Sequence, residues 1–187
     1  MKKKVFYLLG FAGALAIGLT AFVSAKAQSK TKVKTVPSVD LIRYAGKWFE
    51  IAKYPNRFQK QCVANTTAVY NLIGGGNIEV VNSCQTQDGT TDQATGRAKI
   101  EDKKTYAKLK VRFAPSYTSF LPFVWADYWI IDLDPNYQYA AVGTPKRDYL
   151  WILSRTPQMD ENTYEGILNR VRAQGFDTDK LVKTPQK

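Results

Sequence analysis

Short segments of alternating apolar and polar residues, separated by turn sequences, run through most of this chain. In residues 108–113 (KLKVRF) basic and apolar side chains alternate at every position, so a strand here has one solvent-exposed face and one buried face. Residues 66–73 and 78–84 flank the glycine-rich turn 74–77 and form the clearest hairpin. Eight strands at hairpin spacing are predicted, over residues 48–54, 66–73, 78–84, 93–101, 106–113, 128–133, 139–142 and 149–154.

The periodicity changes after the eighth strand. Asp160 is predicted to cap an amphipathic helix that ends at Gly175, and a short final strand is predicted over residues 180–183. The apolar stripe of this helix comprises Tyr164, Ile167, Leu168 and Val171. We therefore predict an all-β fold, an eight-stranded antiparallel up-and-down β-barrel with one C-terminal α-helix packed outside. The interior of such a barrel holds packed side chains or one small ligand.

Residues 1–27 have the pattern of a signal peptide. A lysine-rich head precedes the uncharged stretch 5–23, and the small residues Ala25 and Ala27 suit cleavage after Ala27. An uncleaved anchor is the alternative, because the uncharged stretch approaches the ~20 residues that span a bilayer. Residues 28–39 are then predicted as a flexible basic tail and residues 40–184 as the folded domain. A soluble periplasmic or secreted protein is expected.

The composition excludes several classes of function. The chain has no histidine, so it lacks Ser-His-Asp and Cys-His catalytic units. Two cysteines cannot supply a structural zinc site, and neither a metal nor a cofactor is predicted. The basic residues lie on outer faces or in the tail rather than in a groove with exposed aromatic residues. Nucleic acid is therefore not an expected partner.

Cys62 and Cys84 flank the clearest predicted hairpin. In an oxidising compartment two cysteines of a small domain usually pair, and two buried thiols are the alternative. Counting outward from the turn places Cys84 opposite a residue near Thr67 rather than opposite Cys62. A disulfide therefore requires a bend or bulge before Thr66.

Three regions of the sequence resemble a known family. Gly46 and Trp48 open the first strand, Asp127 precedes the sixth, and Arg155 closes the eighth. Together with the segments GKWFEIAKYPNRF and RDYLWILSRTP, they resemble the lipocalin family, in particular the subgroup of bacterial lipocalin, apolipoprotein D and insect bilin-binding protein. The resemblance implies that these four residues are structural, with Arg155 packed over the indole of Trp48. Many bacterial members carry a lipid-modified cysteine after the signal, and this chain has none at the predicted cut.

Strand alternation, anchored where the family pattern fixes one side, predicts the lining of a calyx. If Trp48 points inward, so do Glu50 and Ala52. A buried Glu50 needs a partner or water, and strand direction makes Lys53 and Arg155 unfavourable partners. Core packing without room for a ligand is the alternative. The predicted ligand-binding residues are Glu50, Ala68, Tyr70, Val111, Phe113, Tyr128, Ile130, Tyr149 and Trp151.

The predicted lining and the resemblance imply a non-enzymatic carrier or scavenger of a fatty acid or lysophospholipid. Cleavage after Ala27 leaves 23 basic against 16 acidic residues, and this excess favours an anionic headgroup. The alternative is a lipid- or pigment-modifying enzyme on the same barrel, although Glu50 is the one inward carboxylate. Phe120, Phe123 and Trp125 lie in a loop beside the expected mouth. That loop is expected to form a lid, a membrane contact or a dimer contact, or to fold back over the rim. A monomer or weak dimer is expected.

Overall fold

A computed structural model describes residues 31–187 of the chain. The predicted signal peptide and residues 28–30 of the predicted tail lie outside the described residues. No helix within residues 31–187 is long and apolar enough to cross a bilayer. The α-helices of this part are α1 (Leu41–Tyr44) and α2 (Glu161–Ala173). Its strands are β1 (Gly46–Lys53), β2 (Cys62–Leu72), β3 (Asn77–Thr86), β4 (Thr91–Ile100), β5 (Lys108–Arg112), β6 (Ala126–Leu133), β7 (Tyr139–Gly143), β8 (Leu150–Ser154) and β9 (Val182–Lys183).

Strands β1 to β8 close into an antiparallel barrel, which confirms the predicted fold class. Each strand pairs with the next one in sequence, and β1 closes the ring by pairing with β8 as well as β2. Trp48 of β1 lies opposite Ala68 of β2, and Glu50 lies opposite Leu153 of β8. The short strand β9 pairs with the end of β1. The barrel therefore has no free edge along most of its circumference.

Two apolar cores lie on the two faces of this barrel. The interior core is built from alternate residues of the strands and is closed at one end by Tyr44 of α1. The second core lies between the outer face and α2, where Ile167 and Val171 are fully buried. Asp160 caps α2 by accepting a hydrogen bond from the backbone N–H of Thr163 at 2.9 Å. The predicted helix, its cap and its apolar stripe are thus present outside the barrel.

Residues 31–39, which belong to the predicted tail, lie along the barrel. Val33 and Val39 are buried, in the outer and the interior core respectively. The backbone N–H of Val36 donates to the carbonyl of Ile130 at 3.0 Å, and that of Val39 donates to Thr105 at 2.8 Å. Apolar side chains at every third position give this otherwise basic segment buried contacts with the barrel.

The predicted disulfide between Cys62 and Cys84 is confirmed. The two Cα atoms are 5.5 Å apart. The pairing of β2 with β3 shifts register twice, between Cys62 and Ala64 and between Ala64 and Thr67. These irregularities bring Cys62 to Cys84, as the count from the turn requires.

Replacing both cysteines by serine is expected to lower the free energy of unfolding by about 3 kcal/mol. The bond closes a loop with a sequence separation of 22 residues, and an open loop gives the unfolded chain more conformations. Denaturant unfolding of C62S/C84S beside the oxidised wild type measures the change. Reduced wild type should match the variant, and an unchanged midpoint after reduction would contradict the expectation.

Candidate functional site

Loops at one end of the barrel surround its open mouth. They are residues 54–61, 87–90, 113–125 and 144–149, which join alternate pairs of strands. The opposite end is closed by α1 and by the contact between Arg155 and Trp48, whose ring lies 3.8 Å from the guanidinium carbon. Gly46 has a φ of +89°, a conformation that glycine adopts without strain as the chain turns from α1 into β1. Asp127, the other family signature residue, accepts a 2.6 Å hydrogen bond from Lys110 on the outer wall.

Three tyrosine hydroxyl groups meet in the closed half of the interior. The hydroxyl of Tyr128 lies 2.7 Å from that of Tyr44 and 2.7 Å from that of Tyr70. Burial raises the pKa of Tyr70 to about 12 and holds the pKa values of Tyr44 and Tyr128 well above 10. We call this group the tyrosine triad. Its hydroxyls satisfy one another, so the floor of the barrel is packed and uncharged at neutral pH.

A bulge in β1 places a charged pair inside the barrel. The register against β8 shifts between Glu50 and Ala52, so Ala52 faces the outer core and Lys53 lies opposite Trp151. The expectation that Ala52 points inward is therefore wrong, and Lys53 is the partner of Glu50 that strand direction had disfavoured. Its Nζ lies 3.1 Å from Oε1 of Glu50, which is buried. Gln59 donates a further hydrogen bond to Glu50 at 2.7 Å.

The C-terminal residues 182–187 complete the wall beside Glu50. β1 and β2 pair only from Gly46 to Phe49, and the C-terminal segment fills the gap that opens beyond this point. The hydroxyl of Thr184 donates to Glu50 at 2.6 Å. Gln186 donates its side-chain amide to the carbonyls of Glu50 at 2.8 Å and Thr66 at 3.0 Å. No pattern in the sequence indicated these contacts, which join residues more than a hundred positions apart.

A stack of aromatic rings leads from the rim to the charged pair. Tyr149 stacks on Trp151 with ring centres 5.7 Å apart, and Phe58 of the β1–β2 loop lies 5.7 Å from Tyr149. The indole N–H of Trp151 donates to Gln59 at 3.2 Å. Gln59 therefore links the aromatic wall to Glu50, and one side of the mouth is rigid.

The facing wall carries small side chains. Asn82 and Ala94 pair in register with each other, and Asn82 also pairs with Ala68 of the predicted lining. Gly96 continues this row, and the ring of Phe113 occupies the place that a Cβ at Gly96 would take. Sequence reasoning missed Asn82, Ala94 and Gly96, although alternation from Ala68 across the hairpin would have found them. The wall across from the aromatic stack therefore carries mainly short side chains.

The nine predicted lining residues fall into two levels of the barrel. Tyr70, Tyr128 and Ile130 are buried in the packed floor, and Glu50 lies above them in the charged pair. Phe113 lies at the rim and is 43% exposed. The remaining four, Ala68, Val111, Tyr149 and Trp151, line the upper half and are partly buried. As ligand contacts, all nine remain predictions.

The loop between β5 and β6 separates its apolar residues into two groups. Phe120 and Phe123 are 78% and 79% exposed beside the mouth. Trp125 lies instead against the outer wall, where its indole N–H donates to the carbonyl of Ser119 at 2.8 Å. Two of the three predicted surface residues are thus free to meet a partner, and the third anchors the loop.

The interior offers few groups with metal-binding or acid–base chemistry in the part of the chain that the structure describes. Within residues 31–187 no group of three metal-ligating side chains comes together. Glu50, the one carboxylate predicted to face inward, is engaged by Lys53, Gln59 and Thr184. A barrel with a packed floor, a partly solvated upper half and a ring of loops defines a β-barrel protein that binds one small ligand.

A family model described as a lipocalin-like domain matches residues 39–186, so the chain belongs to the lipocalin family. Temperature-induced lipocalin-1 of Arabidopsis thaliana is 42% identical over 159 residues, which cover 84% of each chain. The outer membrane lipoprotein Blc of Escherichia coli is 36% identical over 176 residues, 92% of this chain and 95% of that one. The structure of insecticyanin from the tobacco hornworm Manduca sexta matches with a TM-score of 0.62 and 25% identity, over 81% of this chain and 83% of that one. Members of the family are typically non-enzymatic binding proteins.

Proposed function

We propose that this protein is a non-enzymatic carrier or scavenger of a fatty acid or lysophospholipid. The observation that carries the proposal is the two-level interior, with a packed floor below and an upper half that reaches solvent. Ala68, Val111 and Trp151 are partly buried in that upper half, whereas Ile130 on the floor is fully buried. An upper half that opens to solvent and is walled by aliphatic and aromatic side chains suits an acyl chain.

The charged pair in β1 supports an anionic headgroup near the rim. Lys53 has three donor hydrogens, and Glu50 takes up one of them. Lys53 is paired with Trp151 across β1 and β8, and a carboxylate or phosphate group beside that indole would accept the other donors. Because Glu50 is already engaged by Gln59 and Thr184, Lys53 is the group of this pair that remains available to a ligand.

We further propose that the carrier works outside the cytoplasm and contacts a membrane at its mouth. The signal-peptide pattern of residues 1–27 supports the location, and the relative Blc is named as an outer membrane lipoprotein. Phe120 and Phe123 support the membrane contact, because two exposed phenyl rings on one loop suit the apolar layer beneath lipid headgroups.

A fatty acid that enters the mouth should change the fluorescence of Trp151 in a saturable way, since it displaces water beside the indole. Each added methylene is expected to strengthen binding by about 0.8 kcal/mol until the upper half of the barrel is full. Titration of the wild type and of Trp151→Phe with acids of increasing chain length measures both effects. The variant should lose most of the fluorescence change while calorimetry still detects binding.

Trp125→Phe is the matched control for this titration, because Trp125 lies on the outer wall rather than inside the barrel. It should leave the ligand-induced change intact. An undiminished fluorescence change in Trp151→Phe, or calorimetry without heat for every chain length, would contradict the proposed function.

A further inference from the structure

Four basic side chains lie together on the outer face of the barrel where β4 pairs with β5. Arg97 lies directly opposite Arg112, and Lys99 lies directly opposite Lys110. Like charges directly opposite each other across two strands destabilise a sheet. We call these four residues the basic square. Something must offset their repulsion.

Carboxylates of the protein neutralise one corner of the basic square. Lys110 forms ion pairs with Asp127 at 2.6 Å and with Glu101 at 3.5 Å. Lys99 lies 4.2 Å from the ring centre of Trp125, a cation–π contact. Arg97 lies opposite Glu79 on its other side, but no ion pair joins the two side chains.

Arg112 is the most unusual corner because it is buried without a counter-ion. It is 7% exposed, and its guanidinium carbon lies 5.1 Å from the ring centre of Trp125. Its Nη1 donates to the carbonyl of Pro115 at 2.6 Å. Its buried Nε has no hydrogen-bond partner in the part of the chain that the structure describes, and no carboxylate there pairs with it. A buried charge without a counter-ion lowers the stability of the folded protein, and a bound anion would offset this loss.

A surface concavity adjoins the two arginines. It has a volume of about 300 Å³ and is lined by residues 95–97 of β4, by Arg112 at the end of β5 and by residues 113–116 of the following loop. This volume holds an oxyanion with several waters, since one water takes about 30 Å³. Both Arg97 and Arg112 line the concavity, and the two residues are directly paired across β4 and β5.

We propose that Arg97 and Arg112 bind the phosphate group of an anionic membrane lipid, one whose phosphate is not neutralised by a cationic headgroup, when the mouth meets a bilayer. The inference rests on the proposed membrane contact and names the lipid group that it recognises. The loop that covers Arg112 through Trp125 is the one that exposes Phe120 and Phe123. The phenyl rings suit the apolar layer of a membrane, and the guanidinium groups beside them suit the layer of lipid headgroups above it. A guanidinium group binds phosphate through two parallel hydrogen bonds.

Flotation with vesicles tests this site. Wild type is expected to bind vesicles of phosphatidylcholine mixed with phosphatidylglycerol more strongly than vesicles of phosphatidylcholine alone. R97Q/R112Q should lose roughly 25-fold in binding to the mixed vesicles, because each basic residue near an anionic surface contributes about fivefold. Its binding to pure phosphatidylcholine should stay close to that of the wild type. Arg97→Gln alone, at an exposed position, should lose roughly fivefold and covers the case in which the double variant folds poorly.

K103Q/K104Q is the matched control, since it removes the same charge from exposed positions at the closed end. It should retain binding within about twofold, because charges farther than about 10 Å from the membrane are screened. Equal losses in the two double variants would show that net charge alone acts and would overturn the inference. F120S/F123S separates the proposed membrane contact from the proposed anion site. If this variant binds vesicles as strongly as the wild type, the membrane contact of Phe120 and Phe123 is contradicted but the anion site is not. If the wild type binds neither kind of vesicle, both proposals are contradicted.

Discussion

Replacing Arg155 by alanine is expected to lower the free energy of unfolding by about 3 kcal/mol and the melting temperature by about 6–12 °C. The guanidinium covers the ring of Trp48 at the closed end of the barrel. It also donates hydrogen bonds of 2.6–3.2 Å to the carbonyls of Arg43, Tyr44, Lys47 and Tyr137. These contacts join α1, β1 and the β6–β7 loop, so the variant loses the link between three parts of the chain.

Arg155→Lys keeps the charge but not the planar set of donors, and it should recover less than half of the lost stability. Arg57→Ala removes an exposed guanidinium that lies over the ring of the neighbouring Phe58, and it should change the stability by no more than about 0.5 kcal/mol. Ligand affinity of folded Arg155→Ala should stay within a few fold of the wild type. An unchanged melting temperature together with a selective loss of binding would show that Arg155 belongs to the binding site instead.

Features of the fold that repeat along the chain were predictable from the sequence. Alternation with period two located the strands, and the change of period after the eighth strand located α2. The disulfide could be placed together with its bulge, because counting from the turn 74–77 leaves Cys62 out of register with Cys84. Each of these inferences uses spacing within a single hairpin or helix, which the sequence records directly.

The bulge in β1 shows where such reasoning stops. Residues 48–54 read as one regular strand, and nothing in their side chains marks the extra residue that turns Ala52 outward and Lys53 inward. One shifted residue exchanges the two faces of a strand, so the partner of Glu50 could not be predicted from alternation. Only the pairing with β8 determines which side each of these residues takes.

Contacts made at long sequence distance were missed for a second reason. The hydrogen bond from Thr184 to Glu50 depends on the gap between β1 and β2, which exists only in the assembled barrel. Residues 31–39 carried a weak signal, since Val33, Val36 and Val39 recur at every third position in a basic segment. Charge dominated the interpretation of that segment, whereas the burial of its valines determines its position.

The tyrosine triad is expected to make the protein unfold steeply in alkali. A tyrosine whose pKa is raised in the folded state contributes stability that is complete below pH 10 and is lost as the pH rises toward the folded pKa. Tyr70 has a folded pKa of about 12, and those of Tyr44 and Tyr128 also lie well above 10. While all three hydroxyls stay protonated in the folded chain, the loss reaches about 4 kcal/mol per pH unit above pH 10. Because whole domains have only about 5–15 kcal/mol of stability, a loss of this steepness should unfold the protein within a few pH units above 10.

Phenolate absorbance and circular dichroism, followed together against pH, measure this transition. The three tyrosines of the triad, together with Tyr54, whose pKa burial also raises to about 12, should ionise only as the fold is lost. Tyr128→Phe removes one of these protons and leaves the hydroxyls of Tyr44 and Tyr70 without their shared partner. It should therefore cost about 2 kcal/mol at neutral pH and make the alkaline loss of stability about one third less steep. Tyr117→Phe, at a position 77% exposed, should match the wild type in both respects. Ionisation of all the tyrosines in one step with the fold intact would show that the triad reaches solvent, and the packed floor of the barrel would then be wrong.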